Sequence, residues 1–584
     1  MKRINGYIER YGTLFFVLCV AVLAWQCFVV ALDTQLGGLR NMFHEWHVVA
    51  ISIANALLIL SPYWLLPRRL RWLVWIPLAL LTSWCLMQVC YCRAYDDLMP
   101  WGSFTMTDNV NSTLTASTIA LLKWRDMLIV VPFLLLIVVC LLGKSVDTDK
   151  GRFKRLAYTL LACLITGSWG YIFGDESFET RFLRIFSNRG YYAQNGLLPY
   201  VGFSAYQQLI IPNTVTDSDR EMIKRYIADN CPHYTDNPYC STDRRNLVLI
   251  IVESLHTWPI GMEIEGREVT PVLNRLVAGD SVLYAPHVLF QTSHGHSSDA
   301  HFIYNTGLLP LRDGVVAVNW GDKEYPSLAD ALSGYDARLV VCDDKGYWNQ
   351  AVTSRSYGFD KLYSREHLAE DGALARHNNV DDAALTDFAA SLLPHLRQPF
   401  FLEMITMTMH MPYPQDKVRQ TWITASDTLN AEARSYLNCV NLTDSCIGAF
   451  IDELYQQGLH SNTVVAIMSD HTQMYRNRIE GRSDYEFVPD DWGIPLIILG
   501  CDTTMRYEPV IGQVDVFPTL LDVMGANSYP WKGLGHSILR YPVQSAIQPR
   551  NMSVIGDSTA LTPHQRQAWD ISRLIIFDSY KVVE

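Results

Sequence analysis

Glu253, Ser297, Asp470 and His471 have the types and settings that metal-assisted chemistry requires. Glu253 ends the apolar run Asn246-Leu-Val-Leu-Ile-Ile-Val, and Asp470-His471 ends a second, Thr463-Val-Val-Ala-Ile-Met-Ser. Both runs are short and rich in β-branched residues, the pattern of fully buried strands. Ligands of open α/β sheets bind beyond the carboxyl ends of the strands, so these three side chains are expected to meet there. Two carboxylates and an imidazole suit Mn²⁺, Zn²⁺ or Mg²⁺. The plainer alternative for an Asp-His pair is hydrogen bonding within a loop.

Between the two runs lies Gln291-Thr-Ser-His-Gly-His-Ser297-Ser-Asp-Ala-His-Phe-Ile-Tyr-Asn. Ser297-Ser-Asp opens a helix-like pattern, with Ser and Asp suited to capping it. A hydroxyl at a helix N-terminus beside a divalent cation can lose its proton and attack phosphorus, and the helix end offers N–H groups to a phosphate. Ser297 as a simple cap is the alternative. His294 and His296 are weaker zinc candidates, because no cysteine accompanies their strand-like or loop-like spacing.

These residues need a scaffold, and the chain supplies two. Its 584 residues exceed one core, and its net charge of −12 argues against nucleic acid as a partner. Five apolar runs, near Thr13–Leu32, Val48–Leu66, Leu70–Cys90, Met127–Leu142 and Leu156–Phe173, are long enough or nearly so to span a bilayer. Lys2, Arg3 and Arg10 precede the first. Arg68, Arg69 and Arg71 separate the second and third, and Lys144, Lys150, Arg152, Lys154 and Arg155 separate the fourth and fifth. The positive-inside rule then puts the N-terminus in the cytoplasm and, after five spans, the C-terminal half outside. The first run lacks a small-residue cleavage site and is expected to be retained.

Cysteine usage fits an exterior C-terminal half. Seven of the 13 cysteines lie in or beside the apolar runs. Cys231 and Cys240 bracket a polar loop and are expected to form a disulfide. Cys439 and Cys446 stand about 10 Å apart on a regular helix, too far to bridge. Cys342 and Cys501 follow expected strands and remain unassigned.

Three segments are expected: 1–174 in the membrane, 175–245 as a juxtamembrane connector with interfacial tyrosines, and 246–584 as the catalytic domain. In the last, helices are expected at Thr270–Gly279, Ser327–Gly334, Asp381–Leu393, Ala431–Gln457 and Val514–Met524. Strands are expected at Arg338–Val341, at Pro399–Met409 leading to His410, at Thr463 and at Ile494–Leu499. This alternation implies an α/β domain with a largely parallel sheet and helices on both faces.

The ordered set of motifs resembles the lipoteichoic acid synthase and phosphoglycerol transferase family, sulfatase-like members of the alkaline phosphatase superfamily. Glu253-Ser254 matches its first metal segment, and Gly295-His-Ser297-Ser-Asp-Ala-His-Phe302 its nucleophile segment. Lys345-Gly-Tyr-Trp348-Asn349 looks like the substrate loop, and Met409-His410-Met-Pro-Tyr the active-site histidine segment. Ser469-Asp470-His471 matches the second metal segment. The resemblance implies five spans followed by an extracytoplasmic sulfatase-like domain, in a multi-pass protein of the cell (inner) membrane. Glu253, Ser297, Asp470 and His471 would hold a divalent metal, Mn²⁺ first, with Mg²⁺ or Zn²⁺ as alternatives. Ser297 and His410 would be catalytic, and Lys345, Trp348 and Asn349 would bind substrate.

The implied reaction moves phosphoglycerol from a phospholipid onto an envelope glycan or lipid through a phospho-Ser297 intermediate. The donor would be phosphatidylglycerol or, in a phosphoethanolamine transferase, phosphatidylethanolamine; a non-catalytic envelope scaffold is the remaining alternative. Three positions depart from the family pattern. Serine replaces threonine at 297, Gln350 stands where the family carries arginine, and Val341 where it carries histidine. Loss of a bidentate cation bears on the headgroup and leaves the metal segments intact. A sulfatase proper is disfavoured, since no Cys/Ser-x-Pro-x-Arg motif surrounds Ser297.

Overall fold

The computed structural model describes residues 11–34, 46–95, 98–99, 121–143, 151–172, 188–209, 215–231, 234–240, 245–343, 345, 347–411, 413, 423, 429, 431–472 and 493–578. Lys2, Arg3, Arg10, Lys144 and Lys150, which enter the topology argument, lie outside that set. The chain divides into two compact units, one within the first 211 residues and one running from Pro212.

The first unit is helical. Four of its helical stretches, Thr13–Asp33, Trp46–Trp64, Arg69–Arg93 and Trp124–Leu142, are long and apolar enough to cross a membrane. A further helix, Arg152–Ile172, has 21 residues but opens on Arg152, Lys154 and Arg155. Polar side chains tie the helices where lipid offers no hydrogen bonds. Gln26 donates to Thr82 Oγ1 (2.9 Å) and to the Ile129 carbonyl (2.8 Å), so one amide joins three helices. Arg93 pairs with Asp33 (2.9 Å) and Asp126 (2.7 Å), bringing together the ends of the first and third stretches and the start of the fourth.

The expected connector is shared between the units. Helices Asn188–Asn195 and Leu197–Leu209 belong to the first, where Tyr192 donates to the Cys27 carbonyl (2.9 Å) and Tyr200 to that of Met99 (2.6 Å). Helix Asp217–Asn230 belongs to the second and packs on the last described helix, Thr562–Phe577. The expected Cys231–Cys240 disulfide does not form. Cys231 ends helix Asp217–Asn230 and turns its thiol to the Gly533 carbonyl (3.4 Å), while the Cys240 sulfur faces the Arg245 guanidinium (3.5 Å). Their partners hold the two sulfurs in different packing environments.

The second unit is built on a nine-stranded sheet. Its strands are β1 Asn246–Val252, β2 Val282–Leu289, β3 Asp336–Val341, β4 Lys361–Tyr363, β5 Phe400–Ile405, β6 Thr463–Ser469, β7 Gly493–Leu499, β8 Met505–Arg506 and β9 Ile511–Gly512. The order is β8-β2-β7-β6-β1-β5-β3-β4, with β9 also on β2. The pairs β1/β5, β1/β6, β3/β5 and β3/β4 are parallel, and β7 runs antiparallel to both β2 and β6. Alternate residues of β1 feed two cores. Leu247, Leu249 and Ile251 face one, and Val248, Ile250 and Val252 the other. Full burial of each such side chain stabilises the fold by about 1.5–3 kcal/mol.

β2 was not expected, and β5 ends at Ile405 rather than near Met409. Beyond Ile405, Thr406 still donates to the Ile251 carbonyl, and then a turn closes from His410 N–H to the Met407 carbonyl (2.9 Å). Asp382 fixes this turn by accepting from the N–H groups of Met407 (2.6 Å) and Thr408 (2.8 Å). The expected helix at Ser327–Gly334 shortens to Leu328–Ala331.

Ser297 opens helix Ser297–Thr306, whose remaining residues are all buried. The helix stops at Gly307, at φ 66°, where a Cβ would lie 2.7 Å from the Gly533 Cα. Gly307→Ala is therefore expected to destabilise the second unit. The left-handed backbone alone costs an L-residue about 1–2 kcal/mol, and the clash adds to it. A thermal melt of the full chain in detergent should show a lower midpoint; an unchanged midpoint would contradict this packing.

Candidate metal centre and active site

Parallel register brings the site residues to one edge of the sheet. Val252 of β1 is level with Ser469 of β6, and Ile405 of β5 is level with Ile251 and Val341. The residues that follow, Glu253, Thr406, Cys342 and Asp470, leave the sheet side by side. Glu253, Asp470 and His471 are buried, and their ligand atoms all lie within 4.8 Å of one another.

The backbone aims each ligand. Asp470 Oδ1 accepts from the N–H groups of Ser254 and His471, both at 2.7 Å, and Glu253 Oε1 accepts from the Ser254 hydroxyl at 2.7 Å. His471 Nδ1 faces the Thr472 carbonyl at 2.8 Å. A carbonyl only accepts, so Nδ1 carries the proton and Nε2 presents its lone pair to the cluster. Asp470 Oδ2 is buried with no hydrogen-bond partner among the described residues. That orphaned oxygen, a second carboxylate and an imidazole lone pair form a donor set that fits a divalent cation.

The electrostatics agree. Burial, and then the Glu253 charge, push the Asp470 carboxyl up to about 7. Burial works against a charged His471, yet the Asp470 and Glu253 carboxylates outweigh it and hold the imidazole above its ordinary value. A cation between them would relieve both conflicts.

Ser297 Oγ lies 3.2 Å from Glu253 Oε2 and 3.4 Å from His471 Nε2. Asp299 braces the loop before it, accepting from the N–H groups of Ser293 (2.8 Å) and Gly295 (2.9 Å). A Cβ at Gly295 would come within 2.1 Å of the Asp299 carboxylate, so this close approach needs glycine. Gln513 links the nucleophile loop to the metal segment, donating to the Asp470 carbonyl (2.6 Å) and accepting from Gln291 N–H (2.5 Å).

A cavity opens at Glu253 and Ser297 and is also lined by Asp343, Tyr347, Trp348, Gln350, Met407 and His410. His410 Nδ1 sits 2.7 Å from the Met411 carbonyl, which leaves Nε2 as its acceptor, and burial pushes its imidazole below the ordinary range. Trp348 thus stands with the cluster. Asn349 is committed to the Ala317 carbonyl (2.9 Å), and Lys345 is exposed and paired with Glu366 (3.1 Å); neither lines the cavity. His294 lies 3.9 Å from Asp313 and His296 packs edge-on against His471, and neither joins the ligand cluster. Sequence reasoning missed Asp343, Asp299 and Gln513. Asp343 carries the same signal as Glu253, a carboxylate just past a strand end; Asp299 and Gln513 carry none that spacing reveals.

With this geometry in view, similarity to known proteins is informative. The lipoteichoic acid synthase N-terminal domain family matches residues 1–213, and the sulfatase family matches residues 245–526. The lipoteichoic acid synthase of Staphylococcus aureus is 25% identical over 530 residues, covering 85% of this chain and 81% of that protein. Among solved structures, the lipoteichoic acid synthase LtaP of Listeria monocytogenes has a TM-score of 0.50 at 18% identity, covering 61% of this chain and 98% of its own. The integral membrane lipooligosaccharide phosphoethanolamine transferase A of Neisseria meningitidis has a TM-score of 0.52 at 16% identity, covering 87% and 94% respectively. Those two likenesses speak for the fold. With its apolar helices and its sulfatase-like α/β domain, this chain is a membrane protein of the alkaline phosphatase superfamily, a phosphotransferase of the lipoteichoic acid synthase-like kind.

Proposed function

We propose that the protein transfers a phosphoalcohol from a membrane phospholipid to an envelope glycan or lipid through a covalent intermediate on Ser297. The observation that carries this reading is the placement of Ser297 Oγ, at a helix N-terminus, 3.2 Å from Glu253 and 3.4 Å from His471. Glu253, Asp470, His471 and Ser297 would hold the divalent cation, Mn²⁺ by analogy with the family pattern. When bound, the cation supplies positive charge that eases loss of the Ser297 proton and offsets charge building on phosphorus.

Ser297 Oγ attacks the lipid phosphodiester, the Oγ–P bond forms, and the bond from phosphorus to the diacylglycerol oxygen breaks. His410 Nε2, on the wall of the same cavity, takes the proton that leaves Ser297 Oγ and gives it to the departing diacylglycerol oxygen. When the acceptor oxygen displaces Ser297, His410 takes the acceptor's proton and returns it to Ser297 Oγ. Burial holds the imidazole below its ordinary range, so it starts neutral and accepts the first proton. The first 174 residues anchor the enzyme through five spans, with 175–245 as the connector and 246–584 as the catalytic domain outside the inner membrane.

Ser297→Ala should abolish diacylglycerol release while leaving the thermal midpoint close to wild type. Intact-protein mass spectrometry should find the phosphoalcohol on Ser297 of trapped wild-type enzyme. Normal turnover by the alanine variant would end the covalent reading.

Glu253→Ala and Asp470→Ala should each lower Mn²⁺ binding in calorimetry on metal-stripped protein. With chelator present, Asp470→Asn should melt no lower than wild type at pH 8. The raised carboxyl pKa of about 7 means that its ionised form opposes folding above that pH, and asparagine removes that charge. Full metal affinity in both alanine variants would refute the ligand set.

Topology has its own test. A reporter fused after Glu584 should be accessible outside the cytoplasmic membrane, and one inserted between Lys144 and Arg155 should not. The reverse pattern would place the catalytic domain in the cytoplasm.

A further inference from the structure

We infer that Asp382 is a positioning residue of the transfer reaction: by bending the chain beyond β5 it sets where the His410 imidazole stands, and so governs proton transfer without touching the cation ligands. This rests on the transfer reading above, in which His410 moves the proton, and names the group that aims it.

Backbone holds the His410 ring. Its Nδ1 meets the neighbouring Met411 carbonyl at 2.7 Å, and the His410 N–H closes on the Met407 carbonyl at 2.9 Å. Where the ring stands therefore follows from where the turn runs. The chain enters this turn from the sheet, with Thr406 N–H still donating to the Ile251 carbonyl at 3.0 Å. Immediately beyond, the N–H groups of Met407 and Thr408 converge on one atom, Asp382 Oδ1, at 2.6 and 2.8 Å. Successive N–H groups of a strand point to opposite sides, so one oxygen can take both only where the chain bends.

Asp382 is itself fixed. It is fully buried in the first turn of helix Asp381–Leu392, and its N–H donates to Thr408 Oγ1 at 3.1 Å. Its Oδ2 accepts from the Thr443 hydroxyl at 2.6 Å, on helix Ala431–Gln456. One carboxyl thus clamps the turn against two helices. Burial pushes this carboxyl above its ordinary range, against the pull of its donors. Oδ1 can accept from both turn N–H groups whether or not Oδ2 carries a proton.

The two halves of the site are anchored separately. Thr406 Oγ1 accepts from the Glu253 N–H at 3.0 Å, and Thr406 is tied to β1 by its own ladder bond rather than by Asp382. Past it, Met407 and His410 line the cavity with Ser297. Losing the clamp should release the imidazole and spare the metal cluster.

The test uses the full chain in detergent micelles with Mn²⁺, given phosphatidylglycerol or phosphatidylethanolamine with labelled acyl chains. Diacylglycerol release from whichever lipid is used better yields kcat and KM. Asp382→Ala should lower kcat by about tenfold or more, as misplacing a reacting group does, with little change in KM. Its Mn²⁺ affinity in calorimetry should match wild type. Asp382→Asn keeps an acceptor for both N–H groups and can donate to Thr443 Oγ1, so it should restore most of kcat. In a His410→Ala background, Asp382→Ala should cause no further loss, because residues acting through one group are not additive. Asp382→Ser, whose oxygen is one bond closer to its own backbone, replaces alanine if that variant does not fold. Unchanged kcat, an equal loss in Asp382→Asn, a matching loss of Mn²⁺ affinity, or full additivity with His410→Ala overturns the inference and leaves the transfer reading standing. Wild-type kcat in His410→Ala instead overturns the part of that reading which gives the proton to His410, and the inference with it.

Discussion

Two carboxylates, Glu253 and Asp470, are buried beside each other at the end of a largely apolar sheet. Like charges in such a setting repel, and each also loses its hydration. The surrounding fold is arranged to tolerate this. Backbone N–H groups take one oxygen of Asp470, the Ser254 hydroxyl takes one of Glu253, and His471 turns a lone pair toward both. Among the described residues the cluster holds no lysine or arginine, and its donor set fits a divalent cation. Ser297, the helix it opens and the loop that Asp299 braces lie beside that cluster.

Backbone strain gathers at the same place. Ser254 (φ 53°), His296 (φ 44°), Trp348 (φ 48°) and Asn349 (φ 56°) adopt left-handed conformations that non-glycine residues seldom take. Each adjoins, or is, a residue of the cluster or the cavity. Such positions cost on the order of 1–3 kcal/mol apiece and persist only where neighbouring structure holds them. At Ser254 the restraint is visible: its N–H, hydroxyl and carbonyl are all engaged, the last by Tyr436 (2.8 Å). At His296 the kink delivers the following hydroxyl to the ligands.

The strands that carry the ligands were legible because β1 and β6 are buried on both faces, which leaves an uninterrupted apolar run in the sequence. Their carboxyl-terminal residues then followed from the logic of parallel sheets. β2 was not legible. Its run Val-Leu-Tyr-Ala-Pro-His-Val-Leu holds a proline and a histidine, and the strand is irregular where they fall, with a register shift between Ala285 and Val288. The reach of β5 was overread, because Thr406–Met409 is largely buried, as a continuing strand would be, but is held in a turn by Asp382, far off in sequence. The disulfide was misread for a related reason: spacing of two cysteines says nothing of which core each thiol faces.

Much of the cavity wall and the metal-facing cluster hang from different strands. Metal-facing residues follow β1 and β6, whereas Asp343, Tyr347, Trp348 and Gln350 follow β3, with β5 and β1 between them and β6. Mutations after β3 can therefore accumulate without disturbing the reacting groups. A sheet arranged this way lets the wall of the cavity be recast from one edge while the carboxylates and imidazole at its other end keep their own strands.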